Sequence, residues 1–339
     1  MINHVYQLVA PKQISIKFQS ISLTDKHVVV RPTYLSICAA DQRYFNGFRS
    51  KASLAKKLPM ALIHEAAGDI VSDPTGRFKP GDKVLLVPLE PVEDDPEIAQ
   101  NYLPTSRFRA SGYDGFMQEY VAMDPDCLVP YSGIEDDVAA MSELMSVAVH
   151  SIKTFMKVAN GHRDSCVVFG DGNVGYIVSL FLKTLEPDMK VTLVGVDAEK
   201  MAFFSFVDDT YFANDIPADF HPDHAFECVG GRGSEDAIES IIDMIKPEGT
   251  IMLMGVSEEN VPIKTRMVLE KGLRLVGRSR SSKADFEKVR DLLEADPSLQ
   301  NKMKKIIREI AEVRSVADMN QAFSDALGSP FKTVMKWLV

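Results

Sequence analysis

The amino-acid sequence predicts an α/β protein of two domains, one β-rich and one in which helices cover a parallel sheet. Three observations lead to this fold class. Short strand-like runs broken by glycine and proline fill residues 1 to about 130. Strand-like and helix-like segments alternate after that point, which is typical of a parallel sheet. The chain ends in FKTVMKWLV, a strand-like run that we expect to return to the β-rich front.

The composition restricts the function classes. The 339 residues carry a formal net charge of −10, which argues against a nucleic-acid partner. The chain lacks an apolar run of the ~20 residues that cross a membrane, and its N-terminus lacks the apolar core of a secretory signal. We therefore expect a cytoplasmic protein with no membrane partner. Its four cysteines show no CxxC spacing and are expected to be buried thiols, ligands or nucleophiles.

The front domain is predicted from four strand-like runs and one long loop. The runs are HVVVRP, AAGDIV, KPGDKVLLVP and FMQEYVAM. Residues 93–115 show no strong periodicity and read as a loop, and long loops in compact domains are often functional. From about residue 135, IEDDVAAMSELMSVAVHSIKTFMKV has the spacing of apolar residues expected for a helix.

A glycine-rich turn opens the α/β segment. SCVVFGDGNVGYIVSL places Gly170, Gly172 and Gly175 as G-x-G-x-x-G between a strand and a helix, with Asn173 and Val174 inside the motif. The first glycine would make the tight turn, the second would let a pyrophosphate approach, and the third would let helix and strand pack. The alternative is a glycine-rich turn that binds no ligand. In this strand–helix setting we predict a dinucleotide site.

Asp197 ends the next strand, 22 residues after the last glycine of the motif. An acid at this place normally accepts from the adenosine ribose hydroxyls and favours NAD(H). NADP(H) calls for a basic residue, and Lys200 is nearby but is not an obvious substitute. Gly230 and Gly255, in the later turns HAFECVGG and GTIMLMGV, complete the predicted cofactor-binding residues.

Two ionisable residues, His64 and Glu65, interrupt LPMALIHEAAGDIV, whose flanks read as a buried strand. Buried charge is costly unless it is paired, hydrogen-bonded or bound to a metal. Cys38 and Glu143 would complete a set of thiolate, imidazole and carboxylate with an open position, as in catalytic zinc sites. Asp41 would accept from the other nitrogen of His64, and Glu65 would pair with the metal or bind it when water leaves. Taken singly, each residue also fits an ordinary core or surface role.

The chain resembles the zinc-dependent medium-chain dehydrogenases/reductases from end to end. The matching stretches, in the order of that family, are ICAAD, ALIHEAAGDIV, KPGDKVLLVP, ELMSVAVH, GDGNVG, HAFECVGG and GTIMLMGV. The resemblance implies a GroES-like catalytic domain at residues 1–145, completed by about 278–339. It implies a Rossmann nucleotide-binding domain at residues 146–277.

The same resemblance implies a metal set of Cys38, His64, Glu65 and Glu143. ELMSVAVH resembles the polyol dehydrogenase branch, in which this glutamate replaces a cysteine ligand, and Ile63 stands where the family usually has glycine. The four-cysteine structural zinc lobe of the family would fall at residues 93–115, which contain no cysteine. We therefore expect one catalytic zinc and no structural zinc.

Within this family the chain resembles the ribulose-5-phosphate reductases of wall teichoic acid synthesis. The shared stretches are ICAADQRYF, RASGYDGFMQEY, FSFVDD, HAFECVGGRGS and TRMVLEKGL. The resemblance implies reduction of D-ribulose 5-phosphate to D-ribitol 5-phosphate by NADPH, with NADH left open because of Asp197. It also implies a homodimer, and the pathway suggests association with a ribitol-5-phosphate cytidylyltransferase. Ala40 replaces the serine or threonine that usually relays protons in the family.

A phosphorylated ketose needs cations in this acidic chain, and arginine suits phosphate because its fork binds two oxygens. Arg43 is the first choice because it follows Cys38 by five residues, and Arg109 and Arg280 come next. Arg49, Arg107 and Arg278 are further candidates. Two other functions remain open: an NAD-dependent polyol dehydrogenase of the sorbitol type, and a non-catalytic nucleotide-binding subunit.

Overall fold

The computed structural model describes residues 1–23 and 26–339. The chain forms two compact units: unit 1 comprises Met1–Ser146 and Arg280–Val339, and unit 2 comprises Val147–Ser279. Unit 1 is β-rich and unit 2 holds a parallel sheet with helices, so the predicted α/β fold class is confirmed. In the described ranges, the helices are too short or too polar to cross a membrane.

The strands of the described residues, in chain order, are β1 Ile2–Ala10, β2 Gln13–Ser20, β3 Val28–Ser36, β4 Met60–Ala61, β5 Glu65–Ser72, β6 Lys83–Leu86, β7 Leu89–Glu90, β8 Arg107–Phe108, β9 Val121–Met123, β10 Leu128–Pro130, β11 Ser165–Phe169, β12 Lys190–Gly195, β13 Asp209–Phe212, β14 His224–Glu227, β15 Thr250–Leu253, β16 Arg274–Gly277, β17 Ile307–Val313 and β18 Lys332–Trp337. The α-helices are α1 Ala39–Phe45, α2 Lys51–Lys57, α3 Asp136–Ala139, α4 Ser142–Val158, α5 Asn173–Leu185, α6 Ala198–Met201, α7 Ser234–Met244, α8 Thr265–Lys271, α9 Lys283–Ala295, α10 Pro297–Lys304 and α11 Val316–Gly328.

Unit 1 is built around a seven-stranded sheet in the order β10-β6-β5-β3-β18-β17, with β9 paired to β3. The C-terminal strand β18 lies antiparallel to β3 and parallel to β17. The tail of the chain therefore returns to the sheet of the N-terminal segment. Smaller sheets, β2-β1-β4 and β7-β8, complete the unit. The predicted long loop at 93–115 carries β8, which fastens it to β7.

The segment that reads as one buried strand at 58–71 is broken in the middle. β4 ends at Ala61 and β5 begins at Glu65, and between them Ile63 has φ +69. A β-branched residue with positive φ is a genuine outlier, and the glycine that the resemblance predicts here would adopt this conformation without strain. Asp41 accepts from the Ile63 N–H at 3.0 Å, and the Ile63 carbonyl accepts from Phe116 at 2.7 Å. These bonds hold a turn that presents His64.

Unit 2 is a six-stranded parallel sheet in the order β13-β12-β11-β14-β15-β16. Renumbered within the unit, this is 3-2-1-4-5-6, the doubly wound order of dinucleotide-binding domains. The predicted glycine turn joins β11 to α5, and Gly170 at its start has φ +120. A Cβ on Gly175 would lie 1.8 Å from the Gly170 carbonyl oxygen, whereas a Cβ on Gly172 would meet no atom within 4 Å.

This contrast predicts that Gly175→Ala destabilises unit 2 and Gly172→Ala does not. The added methyl at 175 must displace backbone, which costs about 1–3 kcal/mol or more. Thermal unfolding of the cofactor-free protein should show a Tm several degrees lower for Gly175→Ala. Gly172 has φ −90 and is the matched control. Equal melting temperatures for the two variants would contradict this packing.

Candidate active site

Three buried or partly buried side chains of unit 1 form a cluster suited to a metal ion. The thiol of Cys38, the imidazole of His64 and the carboxylate of Glu65 offer ligand atoms that all lie within 4.8 Å of one another. Cys38 is the N-cap of α1, directly after β3, and Glu65 opens β5. Because Ser36 of β3 pairs with Glu65 of β5, the sheet register brings these distant segments together.

Glu143 joins this cluster from the first turn of α4. Its Oε2 lies 4.0 Å from His64 Nε2, and its side chain is buried. Burial raises the pKa of Glu143 to about 7, the nearby His64 opposes this rise, and Glu65 adds to it. Thiolate, imidazole and carboxylate are the donors that Zn²⁺ binds, and three of them leave an open position. The structure thus places Cys38, His64 and Glu65 in one cluster with Glu143 next to His64, and these donor types suit a zinc ion.

Asp41 organises the cluster through the backbone. It is buried, and its Oδ2 accepts from the Cys38 N–H at 3.1 Å while its Oδ1 accepts from the Ile63 N–H at 3.0 Å. Its Oδ1 lies 3.7 Å from His64 Nδ1, which is an electrostatic contact longer than the predicted hydrogen bond. Burial alone would lower the pKa of His64, but Asp41 and Cys38 raise it well above its usual range.

Lys332 is a residue of this site that the sequence reasoning missed. Its Nζ donates to both Glu65 oxygens, at 2.8 and 2.7 Å, and to the Ile37 carbonyl at 3.1 Å. The two side chains are 2% and 0% exposed. Both oxygens of Glu65 thus accept from the Lys332 ammonium, beside the metal cluster. The sequence did contain a sign of this pair: a lysine lies within the apolar strand-like run FKTVMKWLV, and a buried lysine needs a partner of opposite charge.

The predicted phosphate-binding arginines have different surroundings. Arg109 donates to Glu90 at 2.5 Å and to the Ala122 carbonyl at 3.1 Å, so it fastens the long loop to β7 and β9. Because its guanidinium is already bound within the protein, Arg109 is disfavoured as a phosphate ligand. Arg43 lies in the last turn of α1, and Arg278 donates to Thr154 at 2.8 Å within unit 2.

Arg280 is brought next to the metal cluster. Its guanidinium carbon lies 4.7 Å from the centre of the Phe108 ring, and that ring lies 5.5 Å from the His64 ring. Burial lowers the pKa of Arg280, and the carboxylate of Glu143 partly offsets this effect. Phe108 belongs to β8 in the long loop, so the loop supplies a wall of the site.

In unit 2, Asp197 caps the helix that follows β12. Its Oδ1 accepts from the Glu199 N–H at 3.0 Å and from the Lys200 N–H at 3.2 Å. The Lys200 ammonium lies 4.0 Å from its Oδ2. Asp171, inside the glycine motif, accepts from the Val196 and Asp197 N–H groups at 2.7 and 2.8 Å. The glycine turn and the end of β12 are therefore fixed to each other.

Glu227, a buried acid, is a second residue that the sequence reasoning missed. It is fully buried at the end of β14, and it accepts from Gly230, Gly255 and Ser234, each at 3.0 Å. A Cβ on Gly255 would lie 2.4 Å from a Glu227 oxygen, and Gly230 has φ +64, a conformation that favours glycine. Gly230 and Gly255 thus have a structural reason to be glycine, which is independent of their predicted contact with a cofactor.

The buried pair predicts that Lys332→Met destabilises the protein by about 3–5 kcal/mol, because it leaves the Glu65 carboxylate buried without a partner. The double variant Glu65→Gln/Lys332→Met should recover much of this loss, since both charges are removed. Denaturant unfolding measures both effects. Lys336→Met is the matched control: Lys336 lies on the same strand, 41% exposed, 3.6 Å from Glu312. If Lys332→Met is as stable as Lys336→Met, the proposed role of the ion pair is contradicted.

Comparison with known proteins places this site in a family. Residues 24–133 match the model of the alcohol dehydrogenase GroES-like domain, and residues 174–295 match that of the zinc-binding dehydrogenases. The ribulose-5-phosphate reductase of Bacillus spizizenii is 50% identical over 99% of both chains, and ribulose-5-phosphate reductase 1 of Staphylococcus aureus is 46% identical over 100% of both. The crystal structure of S. aureus TarJ in complex with NADPH has a TM-score of 0.89 at 42% identity over 100% of both chains. The chain therefore belongs to the zinc-binding, alcohol dehydrogenase-type family, within its ribulose-5-phosphate reductase group.

Proposed function

We propose that this enzyme reduces D-ribulose 5-phosphate at C2 to D-ribitol 5-phosphate, with NADPH as the reductant, for wall teichoic acid synthesis. The observation that carries the proposal is the end-to-end likeness to ribulose-5-phosphate reductases, in a chain that has the partly buried thiol and the buried imidazole and carboxylates. Unit 1 is the catalytic domain in this proposal, and unit 2 is the nucleotide-binding domain.

The chain's own residues account for the binding part of the mechanism. Cys38, His64 and Glu143 would hold one zinc ion, with Glu65 and Lys332 packed beside them. Bound zinc would polarise the C2 carbonyl, and NADPH would supply the hydride. The methyl group of Ala40 cannot pass a proton, so the C2 oxygen receives its proton by a route that differs from the usual serine or threonine relay of the family.

NADPH is compatible with Asp197 because this carboxylate already has hydrogen-bond partners and a nearby cation within unit 2. One of its oxygens caps α6, and the Lys200 ammonium lies near the other. Its negative charge is therefore partly offset where a ribose 2′-phosphate would approach. The glycine motif presents the start of α5, a 13-residue helix, to the pyrophosphate. Gly170, Gly172, Asn173, Val174 and Gly175 form this part of the proposed cofactor site.

A four-substrate assay tests the proposed function directly. Zinc-loaded enzyme should reduce ribulose 5-phosphate with NADPH and should use ribulose, fructose or sorbitol poorly with either cofactor. Cys38→Ser should lose most bound zinc and turnover while the circular dichroism spectrum is retained. Efficient oxidation of sorbitol with NAD would favour the polyol dehydrogenase alternative, and a wild-type enzyme without any turnover would favour a nucleotide-binding subunit.

Cofactor preference should depend on Asp197. A carboxylate repels a nearby phosphate, so Asp197→Ser should raise the preference for NADPH over NADH several-fold. The measurement is kcat/KM for each cofactor at saturating substrate. Glu199→Ser, in the first turn of α6, is the control for a general change in charge. A wild-type enzyme that uses NADH at least as well as NADPH would overturn the cofactor proposal.

The proposed reaction fits a cytoplasmic homodimer that passes ribitol 5-phosphate to a ribitol-5-phosphate cytidylyltransferase. The support is chemical: a cytidylyltransferase consumes this product. Size-exclusion chromatography with light scattering, alone and with the cytidylyltransferase, distinguishes a dimer and a complex from a monomer.

A further inference from the structure

We propose that Glu227 of unit 2 is a positioning residue for the nicotinamide half of NADPH. It acts through two turns that it holds together: the β14 turn, residues 228–231, and the β15 turn, residues 254–257. Glu227 is fully buried at the carboxyl end of β14. The proposal concerns the geometry of the cofactor and not the identity of the sugar, so it goes beyond the proposed function.

The strand order of unit 2 assigns the two halves of a dinucleotide to two halves of the sheet. In the doubly wound order, each half of the sheet binds one mononucleotide, and the halves meet where the order reverses. Here the order reverses between β11 and β14. The half that contains β11 carries the glycine motif and Asp197, which suit the pyrophosphate and the adenosine ribose. The half that contains β14 and β15 is therefore left for the nicotinamide.

Glu227 joins the two turns with both oxygens of its carboxylate. Its Oε1 accepts from the N–H groups of Val229 and Gly230 and from the Ser234 hydroxyl, each at 3.0 Å. Its Oε2 accepts from the Gly255 N–H, also at 3.0 Å. All four partners are donors, so a carboxylate, which only accepts, satisfies them. One buried side chain thereby fixes the backbone of both turns.

The two turns also contact each other directly. The Gly231 N–H donates to the Val256 carbonyl at 3.1 Å. A Cβ on Gly230 would lie 3.0 Å from the Val256 nitrogen. A Cβ on Gly255 would lie 2.4 Å from both the Gly230 nitrogen and a Glu227 oxygen. Because the backbones are this close, a shift of the Glu227 carboxylate would displace both turns.

Each turn exposes an apolar side chain. Val229 is 41% exposed and Val256 is 54% exposed. The turns that carry them are hydrogen-bonded to each other, so both residues belong to one part of the carboxyl edge of the sheet. Apolar surface beside a few fixed polar groups is typical of a cofactor site, and a nicotinamide ring has apolar faces. The backbone that Glu227 holds therefore determines where this ring lies.

Asp223 provides the contrasting arrangement at the amino end of the same strand. It is 5% exposed, and it accepts from the Ser165 N–H and hydroxyl at 2.9 Å and from the Lys246 ammonium at 2.7 Å. Both acids are buried and hydrogen-bonded, but Asp223 lies at the edge opposite the glycine motif. A structural loss in unit 2 follows from removal of either charge, whereas an effect on the nicotinamide follows from Glu227 alone.

A binding test separates the two halves of the cofactor. NADPH fluorescence measures the affinity for the whole cofactor, and calorimetric titration with adenosine 2′,5′-bisphosphate measures the affinity for the adenosine half. In Glu227→Gln an amide NH₂ faces a backbone N–H, so the two turns separate. This variant should bind NADPH about tenfold more weakly or worse, with the affinity for the bisphosphate changed by less than about twofold. Asp223→Asn is the matched control and should retain both affinities.

The selectivity of the loss decides the proposal. If Glu227→Gln does not fold, Ser234→Ala, which removes one donor to the carboxylate, should show the same selective loss of about threefold. Unchanged NADPH affinity, equal weakening of both ligands, or an equal effect of Asp223→Asn would overturn the role of Glu227. The titrations use zinc-loaded enzyme without sugar. Failure to reduce ribulose 5-phosphate would therefore count against the proposed function and would leave this result unchanged.

Discussion

The buried ion pair between Glu65 and Lys332 is the interaction on which unit 1 depends. It joins residues 267 positions apart, and both side chains are almost fully removed from water. Such desolvation costs several kcal/mol per ion, which is repaid only when every polar atom is satisfied. The Ile37 carbonyl and the two carboxylate oxygens meet this condition. The last strand must therefore lie beside β3, and the chain must return to unit 1 after it has formed unit 2.

The same constraint explains why a dication fits the neighbouring cluster. Glu143 and Glu65 repel each other, and burial already raises the pKa of Glu143 to about 7. Lys332 offsets one of these carboxylates, and backbone N–H groups satisfy Asp41. The negative charges of the two anionic candidate ligands, Glu143 and Cys38 as a thiolate, together balance one divalent cation. His64 adds a neutral donor, so the donor set is suited to zinc in charge as well as in chemistry.

Local patterns in the sequence predicted the alternation of strands and helices, the glycine turn and the long loop, because each depends on neighbouring residues. The resemblance then supplied Cys38, His64 and Glu143 as one set. Lys332 could not be assigned to Glu65, since that contact depends on the register of β18 against β3. The positive φ of Ile63 was also hidden, because the side chain is typical of a strand and only the family's glycine hinted at the turn. The ion pair of Arg109 with Glu90 was hidden for a similar reason, because it depends on the pairing of β7 with β8.

The arrangement of charge in unit 1 also determines the surroundings of the metal cluster. Carboxylates and a thiol lie around His64, and the Arg280 guanidinium packs on the Phe108 ring, which also contacts the His64 ring. Burial lowers the pKa of Arg280 and the Glu143 carboxylate opposes this effect, so Glu143 interacts both with His64 and with this guanidinium. A guanidinium near buried carboxylates offsets part of their negative charge. The segment that returns to unit 1 therefore supplies two cations to this region, Arg280 and Lys332.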